Sequence, residues 1–233
     1  MGRDTELGIQ FSVPYFVGAT QVMMPKDLGG TSPETLRDGS LCASAGTSTE
    51  RLAANFFKSK NIDIEMITFE KSEESRAAYF AGRCDSFVGW GPNLAVVRQS
   101  APNPADHVLM DVALALESES AAMRQGDDNR VDIVNWMFAA TWHSEAKGIT
   151  SANVDKMRAN PKDDTVAKLL GVSPGIGERL GLSDDWAYNV IKQMGNSSEI
   201  FDRNIGTDSV YKLPRGLNAL WNDGGVIVPM ILD

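Results

Sequence analysis

Two cysteines and two histidines in 233 residues leave little material for metal chemistry. Structural zinc takes about four nitrogen or sulfur ligands, and no CxxC or HxxxH spacing is present, so a metal centre is not expected. Basic residues are also scarce. Against 31 Asp and Glu stand 22 Lys and Arg, a formal charge of −9, with no basic cluster longer than a dipeptide. A chain of this balance repels a phosphate backbone, and no nucleic-acid partner is expected. Apolar runs stay well short of the roughly 18 to 20 residues that cross a bilayer. The opening residues MGRDTELGIQ show neither the basic n-region nor the apolar h-region of a signal peptide, so the chain as written is expected to carry no export signal of its own.

What is present is a globular composition, 42% hydrophobic and 23% charged, at a length that suits one large domain or two lobes. Between residues 40 and 110, short apolar runs alternate with helical periodicity. Strands are expected over 40–45, 62–69, 85–89 and 107–110, and helices over 49–60, 73–81 and 93–99. Such βα alternation predicts an α/β unit with a mostly parallel sheet. After Asp127 the pattern turns helical. Val131, Val134, Phe138 and Trp142 form one stripe on a helix of about 20 residues that Gly148 can end. A second helix is expected over 183–194 with Ser183 as its N-cap, and a short one over 217–221. Two extended apolar segments, around 13–25 and 112–124, lead into and out of the α/β unit. A lobe inserted into another lobe needs two such crossings. The expected division is an α/β lobe at 26–112 and a second lobe from 1–25 and 113–233.

Three features bear on chemistry. The strand-to-helix turn Ala45-Gly46-Thr47-Ser48-Thr49-Glu50 gathers backbone N–H groups and hydroxyls at a helix N-terminus, a setting suited to a carboxylate or phosphate, or to plain capping. No lysine follows as a P-loop requires, so nucleotide hydrolysis is unsupported. Gly171-Val172-Ser173-Pro174-Gly175-Ile176-Gly177 imitates the turn of helix-hairpin-helix DNA-binding modules. The acid that follows, Asp184-Asp185, favours a simple connecting turn. Cys42 lies in the first strand of the α/β unit and Cys84 just before the third, which are neighbours in a 2-1-3 order, and spacing leaves open either a disulfide or two buried thiols. His107 and His143 have no visible catalytic partner and read as satisfied or solvated.

Several strings together carry a resemblance. Gly2-Arg3-Asp4-Thr5-Glu6-Leu7-Gly8, Phe11-Ser12-Val13-Pro14-Tyr15, the Ala45 to Glu50 turn and Ala81-Gly82-Arg83-Cys84-Asp85 resemble the periplasmic amino-acid-binding proteins of ABC importers. Arg124-Gln125-Gly126-Asp127-Asp128, the stretch Leu180 to Asn189, and Arg215-Gly216-Leu217-Asn218-Ala219-Leu220-Trp221 resemble the general L-amino-acid subgroup, and the likeness runs through essentially the whole chain. The resemblance implies a periplasmic-binding-protein-like α/β fold whose two lobes close on one amino acid. It also implies no enzymatic activity, no cofactor, a periplasmic location and a membrane permease as partner. It implies that Arg3 holds the ligand carboxylate, that Thr47, Ser48 and Thr49 complete that site, and that Cys42 and Cys84 form a disulfide.

The chain departs from the family pattern twice. The family's signal peptide and first strands, normally ahead of the Arg3 position, have no counterpart, so one intact parallel-sheet lobe is expected beside an incomplete helix-rich lobe. The stripe from Val131 to Trp142 is then expected to lack cover and to favour self-association. Where the family places an aspartate for the ligand ammonium, Trp90 stands, offering only a cation–π face. The leading expectation is an amino-acid-binding component of an ABC importer, impaired by truncation. Its rivals are an interaction or regulatory module that has lost transport, and a gene fragment that binds no ligand.

Overall fold

In the computed structural model, which describes residues 6–174 and 176–230, the chain forms two compact units. One is Val17–Ser118; the other is built from the chain on both sides of it, up to Phe16 and from Glu119.

The inner unit is an α/β sheet layer. Its strands are β2 (Phe16–Pro25), β3 (Gly39–Ser44), β4 (Ile64–Phe69), β5 (Ser86–Trp90), β6 (His107–Leu109) and β7 (Ala115–Glu119). Three helices join them: α1 (Ser48–Ser59), α2 (Ser72–Phe80) and α3 (Gly91–Gln99). The sheet order is β4-β3-β5-β2-β6, with β7 also pairing β2. The expected parallel sheet is in fact mixed. β3 runs parallel to β4 and β5, whereas β2 inserts antiparallel between β5 and β6. The reason lies in residues 16–25, read from the sequence as a crossover. Their Val22-Met23-Met24 run is apolar on both faces, and all three residues are fully buried.

Period-two alternation assigns the faces. Val22 and Met24, Leu41 and Ala43, and Val88 point to one side, where they meet Ala53 and Phe57 of α1. Met23, Cys42 and Phe87 point to the other, against Ala78 and Tyr79 of α2 and Leu94 and Val97 of α3. Helices on both faces explain why these strands read as continuous apolar runs. The 2-1-3 neighbourhood of β4, β3 and β5 brings Cys42 and Cys84 to a Cα separation of 5.7 Å, and they form a disulfide.

In the outer unit β1 (Ile9–Phe11) pairs antiparallel with β8 (Ala122–Arg124). The long helix α4 (Asp128–Ala146) is capped by the Asp127 side chain, which accepts from the Arg130 N–H at 3.3 Å. It ends where Gly148 takes φ +66° and the Ile149 N–H reaches back to the Ser144 carbonyl at 2.7 Å. The sequence did not announce the short helices α5 (Val154–Ala159), α6 (Asp164–Leu169) and α9 (Ser197–Asn204), of which α6 is capped by the Asp163 side chain and α9 by that of Asn196. Asn196 and Glu199 form a reciprocal capping box on α9.

Two sequence boundaries are corrected. The helix expected from Ser183 is α8 (Trp186–Met194), with Asp185 at the N-cap position, because the Ser183 hydroxyl is spent on Asp185 Oδ1 at 2.6 Å. The helix expected over 217–221 is two 3-10 turns, Gly216–Asn218 and Trp221–Asp223. The glycine-rich turn is a helix connection: Gly171 and the Gly177 of α7 (Ile176–Arg179) lie so close to the backbone of Ser183 and Asp184 that a Cβ would come within 2.4 Å.

The α4 stripe is partly covered. Trp142 is buried with Leu220 and Ile227, and Val13 and Phe138 pack on them. A second apolar face of α4, at Trp136 and Ala140, belongs to the larger cluster with Ile149, Leu169, Leu170 and Ile191. Beside Phe138 remains an open groove of about 420 Å³ between Tyr15, Met137, Met194, Ile200 and Phe201. At its edge Arg215 makes a two-pronged ion pair with Glu145, at 2.9 and 3.1 Å, to which Ser197 adds its hydroxyl. Among the described residues no helix is long and apolar enough to cross a membrane.

Candidate functional site

The chain leaves β3 through α1 to reach β4 on one side, then returns through α2 to β5 on the other. The carboxyl ends of β3 and β5 therefore feed connections that diverge, and such a switch point is where an open α/β sheet forms a ligand crevice. The turn after β3 and the residue that ends β5 are Ala45 to Thr49 and Trp90.

The turn is ordered by its own polar groups. Gly46 adopts φ +70°, a left-handed conformation that favours glycine, which turns the chain from strand into helix. The Thr47 hydroxyl donates to the Ser44 carbonyl at 2.8 Å and accepts from the Glu50 N–H at 3.2 Å, while Glu50 Oε2 accepts from the Gly46 N–H at 2.7 Å. Both residues are thereby consumed by capping. The next two N–H groups, of Ser48 and Thr49, lie in the first helical turn, where no intrahelical acceptor exists. With the Ser48 and Thr49 hydroxyls they form a set of donors at the positive end of a 12-residue helix. Of the three expected residues, Thr47 shapes the turn, and the N–H groups of Ser48 and Thr49 are left without an intrahelical acceptor.

Trp90 ends β5 opposite Thr20 of β2. By alternation from Val88 it faces the α1 side of the sheet, as do Gly18 and Thr20 by alternation from Val22. Its indole lies directly over Gly18: a Cβ there would stand 2.0 Å from Nε1 and 2.7 Å from Cε2. Thr20 is completely buried and donates its hydroxyl to Glu117 of β7. Sequence reasoning passed over Gly18, Thr20 and Glu117. The available signal was a triplet of small residues, Gly18-Ala19-Thr20, between the apolar Phe16-Val17 and Val22-Met23-Met24.

The disulfide ties β3 to the segment entering β5, fixing the two strands that flank the crevice, and both cysteines are buried. Asp85 lies at the other end of these strands, where its carboxylate accepts from the Ser40 N–H and hydroxyl at 2.7 and 2.6 Å. Arg3 lies outside the described residues. Neither histidine joins the site. His107 Nδ1 is 2.7 Å from the Tyr79 hydroxyl, and burial holds its pKa below the ordinary histidine value. Burial also pushes the Tyr79 pKa upward, and the imidazole tautomer sets which of the two groups donates. His143 bonds the Met230 carbonyl and is likewise lowered by burial. Among the described residues no group of three or more His, Cys, Asp or Glu is placed to hold a metal ion.

Comparison with known proteins places this geometry in context. No protein-family model matches the chain. The general L-amino acid-binding periplasmic protein AapJ of Rhizobium johnstonii is 41% identical over 228 residues, spanning 97% of this chain and 67% of the relative. The glutamate/glutamine/aspartate/asparagine-binding protein BztA of Rhodobacter capsulatus is 35% identical over 225 residues, 97% of this chain and 67% of the relative. A solved ABC transporter periplasmic binding protein from Brucella ovis with glutathione bound superimposes with a TM-score of 0.89 at 38% identity, over 98% of this chain and 72% of that one. The chain thus spans about two thirds of the length of its curated relatives.

Proposed function

The chain belongs to the periplasmic amino-acid-binding proteins of ABC transporters, and from that premise we propose that it captures an L-amino acid, or a small peptide with an amino-acid terminus, for a membrane permease. It performs no catalysis in this reading. The observation that carries the proposal is the α1 terminus. The N–H groups and hydroxyls of Ser48 and Thr49 stand at the amino end of α1, at the switch point of the sheet and at the end where Trp90 closes β5. That donor set matches a carboxylate, the group shared by free amino acids and by peptides such as the glutathione bound to the Brucella relative.

In this reading Ser48 and Thr49 are the hydrogen-bond donors, Thr47 the residue that orders the turn and Trp90 an apolar wall of the site; Arg3, to which the resemblance gives a carboxylate-binding role, lies outside the described residues. The place of action is the periplasm, as for the relatives, with the permease as acceptor of the loaded form.

The test is calorimetric titration of the 233-residue chain with the twenty L-amino acids and glutathione. At least one is expected to bind with a micromolar dissociation constant, about 8 kcal/mol. Ser48→Ala and Thr49→Val should weaken that binding roughly tenfold, since each removes one hydrogen bond to a charged group. Failure of every ligand to bind below about 1 mM would reject the proposal and favour a module that has lost transport.

A further inference from the structure

We propose that Glu117 supplies the anionic half of this site and takes the positively charged ammonium of the ligand; the inference rests on the amino-acid-binding reading above. A zwitterionic ligand brings two charges, and the α1 terminus answers only the carboxylate. An ammonium moved out of water needs a carboxylate or several acceptors.

Three observations select Glu117. The first is position. Trp90, Gly18 and Thr20 share the α1 face of the sheet, and Trp90 is the cross-strand partner of Thr20 at the carboxyl end of β5. Glu117 is fixed to that same Thr20 from β7, on the far side of β2. The second is constraint. Thr20 is completely buried in the central strand β2, and its hydroxyl donates to the carboxylate, so the glutamate is held by that strand. The third is charge. Glu117 is half-buried, and among the described residues its partner is a neutral hydroxyl, with no Lys, Arg or His within salt-bridge distance. The carboxylates in the described ion pairs all belong to the outer unit. A half-buried carboxylate held in this way attracts a cation, and the indole of Trp90 adds a face favourable to the same charge.

Thr20 is then a positioning residue. Its hydroxyl occupies one carboxylate oxygen and leaves the other for the ligand. A ligand with its amino group acylated would present neither the charge nor the donors and would be rejected.

The experiment pairs each amino acid or peptide that binds with its N-acetyl derivative. Wild-type protein should prefer the free amine by at least about 100-fold. Glu117→Gln, which keeps the shape and the Thr20 contact, should lose most of that preference, binding the free amine tenfold or more weaker and the N-acetyl compound as before. Thr20→Val should give an intermediate loss. Thermal midpoints within a few degrees of wild type establish that the variants fold, and Glu117→Asp, which retains the charge, should restore part of the discrimination. Unchanged discrimination in Glu117→Gln, while wild type binds, overturns the role of Glu117 alone. Absence of binding to any wild-type ligand overturns the amino-acid reading and this inference with it.

Discussion

The two units of the molecule hold themselves together by different means. In Val17–Ser118 a six-stranded sheet is buried on both faces by α1 to α3, and one covalent bridge joins neighbouring strand segments. Among its described residues the unit on either side of it in sequence has a two-stranded ribbon as its sheet and depends on helix caps, glycine-mediated backbone contacts and one largely buried ion pair. Sheet order and a disulfide place donors in fixed positions over tens of residues of sequence. Local caps and small apolar clusters stabilise each helix but leave an open groove beside Phe138. The candidate site is accordingly built on the rigid sheet unit.

The largest expected effect separates the units directly. Replacing Cys42 and Cys84 by alanine removes a bridge spanning 42 residues and should cost about 4 kcal/mol on the chain-entropy model. Hydrogen exchange should locate the loss in β3 to β5 and spare α4 to α9. Equal loss of protection in both units would break the comparison.

Next in size is the ion pair of the outer unit. Arg215→Met leaves the Glu145 carboxylate, only 14% exposed, without its countercharge, and should cost about 3 kcal/mol in urea unfolding. The double variant with Glu145→Gln should recover most of it. A double variant as unstable as the single would mean that packing of Arg215 on the Phe201 ring, 5.4 Å away, matters more than charge.

Gly18→Ala brings the effect back to the sheet. Its new Cβ must displace the Trp90 indole, costing about 2 kcal/mol and shifting the indole emission. A smaller change, about 1 kcal/mol, is expected for Asn196→Ala, which removes the α9 cap. Wild-type behaviour of both variants would remove the distinction between long-range and local support.

Much of the sheet unit was legible in the sequence because its strands are buried on both faces and separated by amphipathic helices. Runs such as Leu41-Cys42-Ala43 and Phe87-Val88 leave few alternatives. β2 was misread because a strand that enters from outside the βα alternation carries no periodic marker of its partner. The short helices of the outer unit were missed because a six-residue segment such as Val154–Ala159 is too short to show a face. At the site, the β3–α1 turn was legible from its glycine and hydroxyls. Thr20 and Glu117 were not, since their pairing spans 97 residues and depends on the antiparallel insertion of β2.

The smallest expected effect is of pH, and it touches both units. Burial lowers the folded-state pKa of His107 in one and His143 in the other. The unfolded chain, near the ordinary value of about 6.5, then binds more protons in the window below it. Stability contributed by the neutral rings is present above that value and is lost as pH falls through the lower folded-state pKa values. Thermal midpoints should decline as pH drops below the histidine range, and His107→Asn and His143→Asn should each flatten part of the slope. A slope unaltered by either substitution would assign it to carboxylates.

The most direct test of the central claim is to map where an amino acid binds. Titrating ¹⁵N-labelled protein with each ligand that binds in calorimetry should move the amide signals of Ser48 and Thr49 and the indole signal of Trp90, with Glu117→Gln reducing the Trp90 response. Saturable shifts confined to residues around the Phe138 groove, with the β3–α1 turn unmoved, would contradict the account.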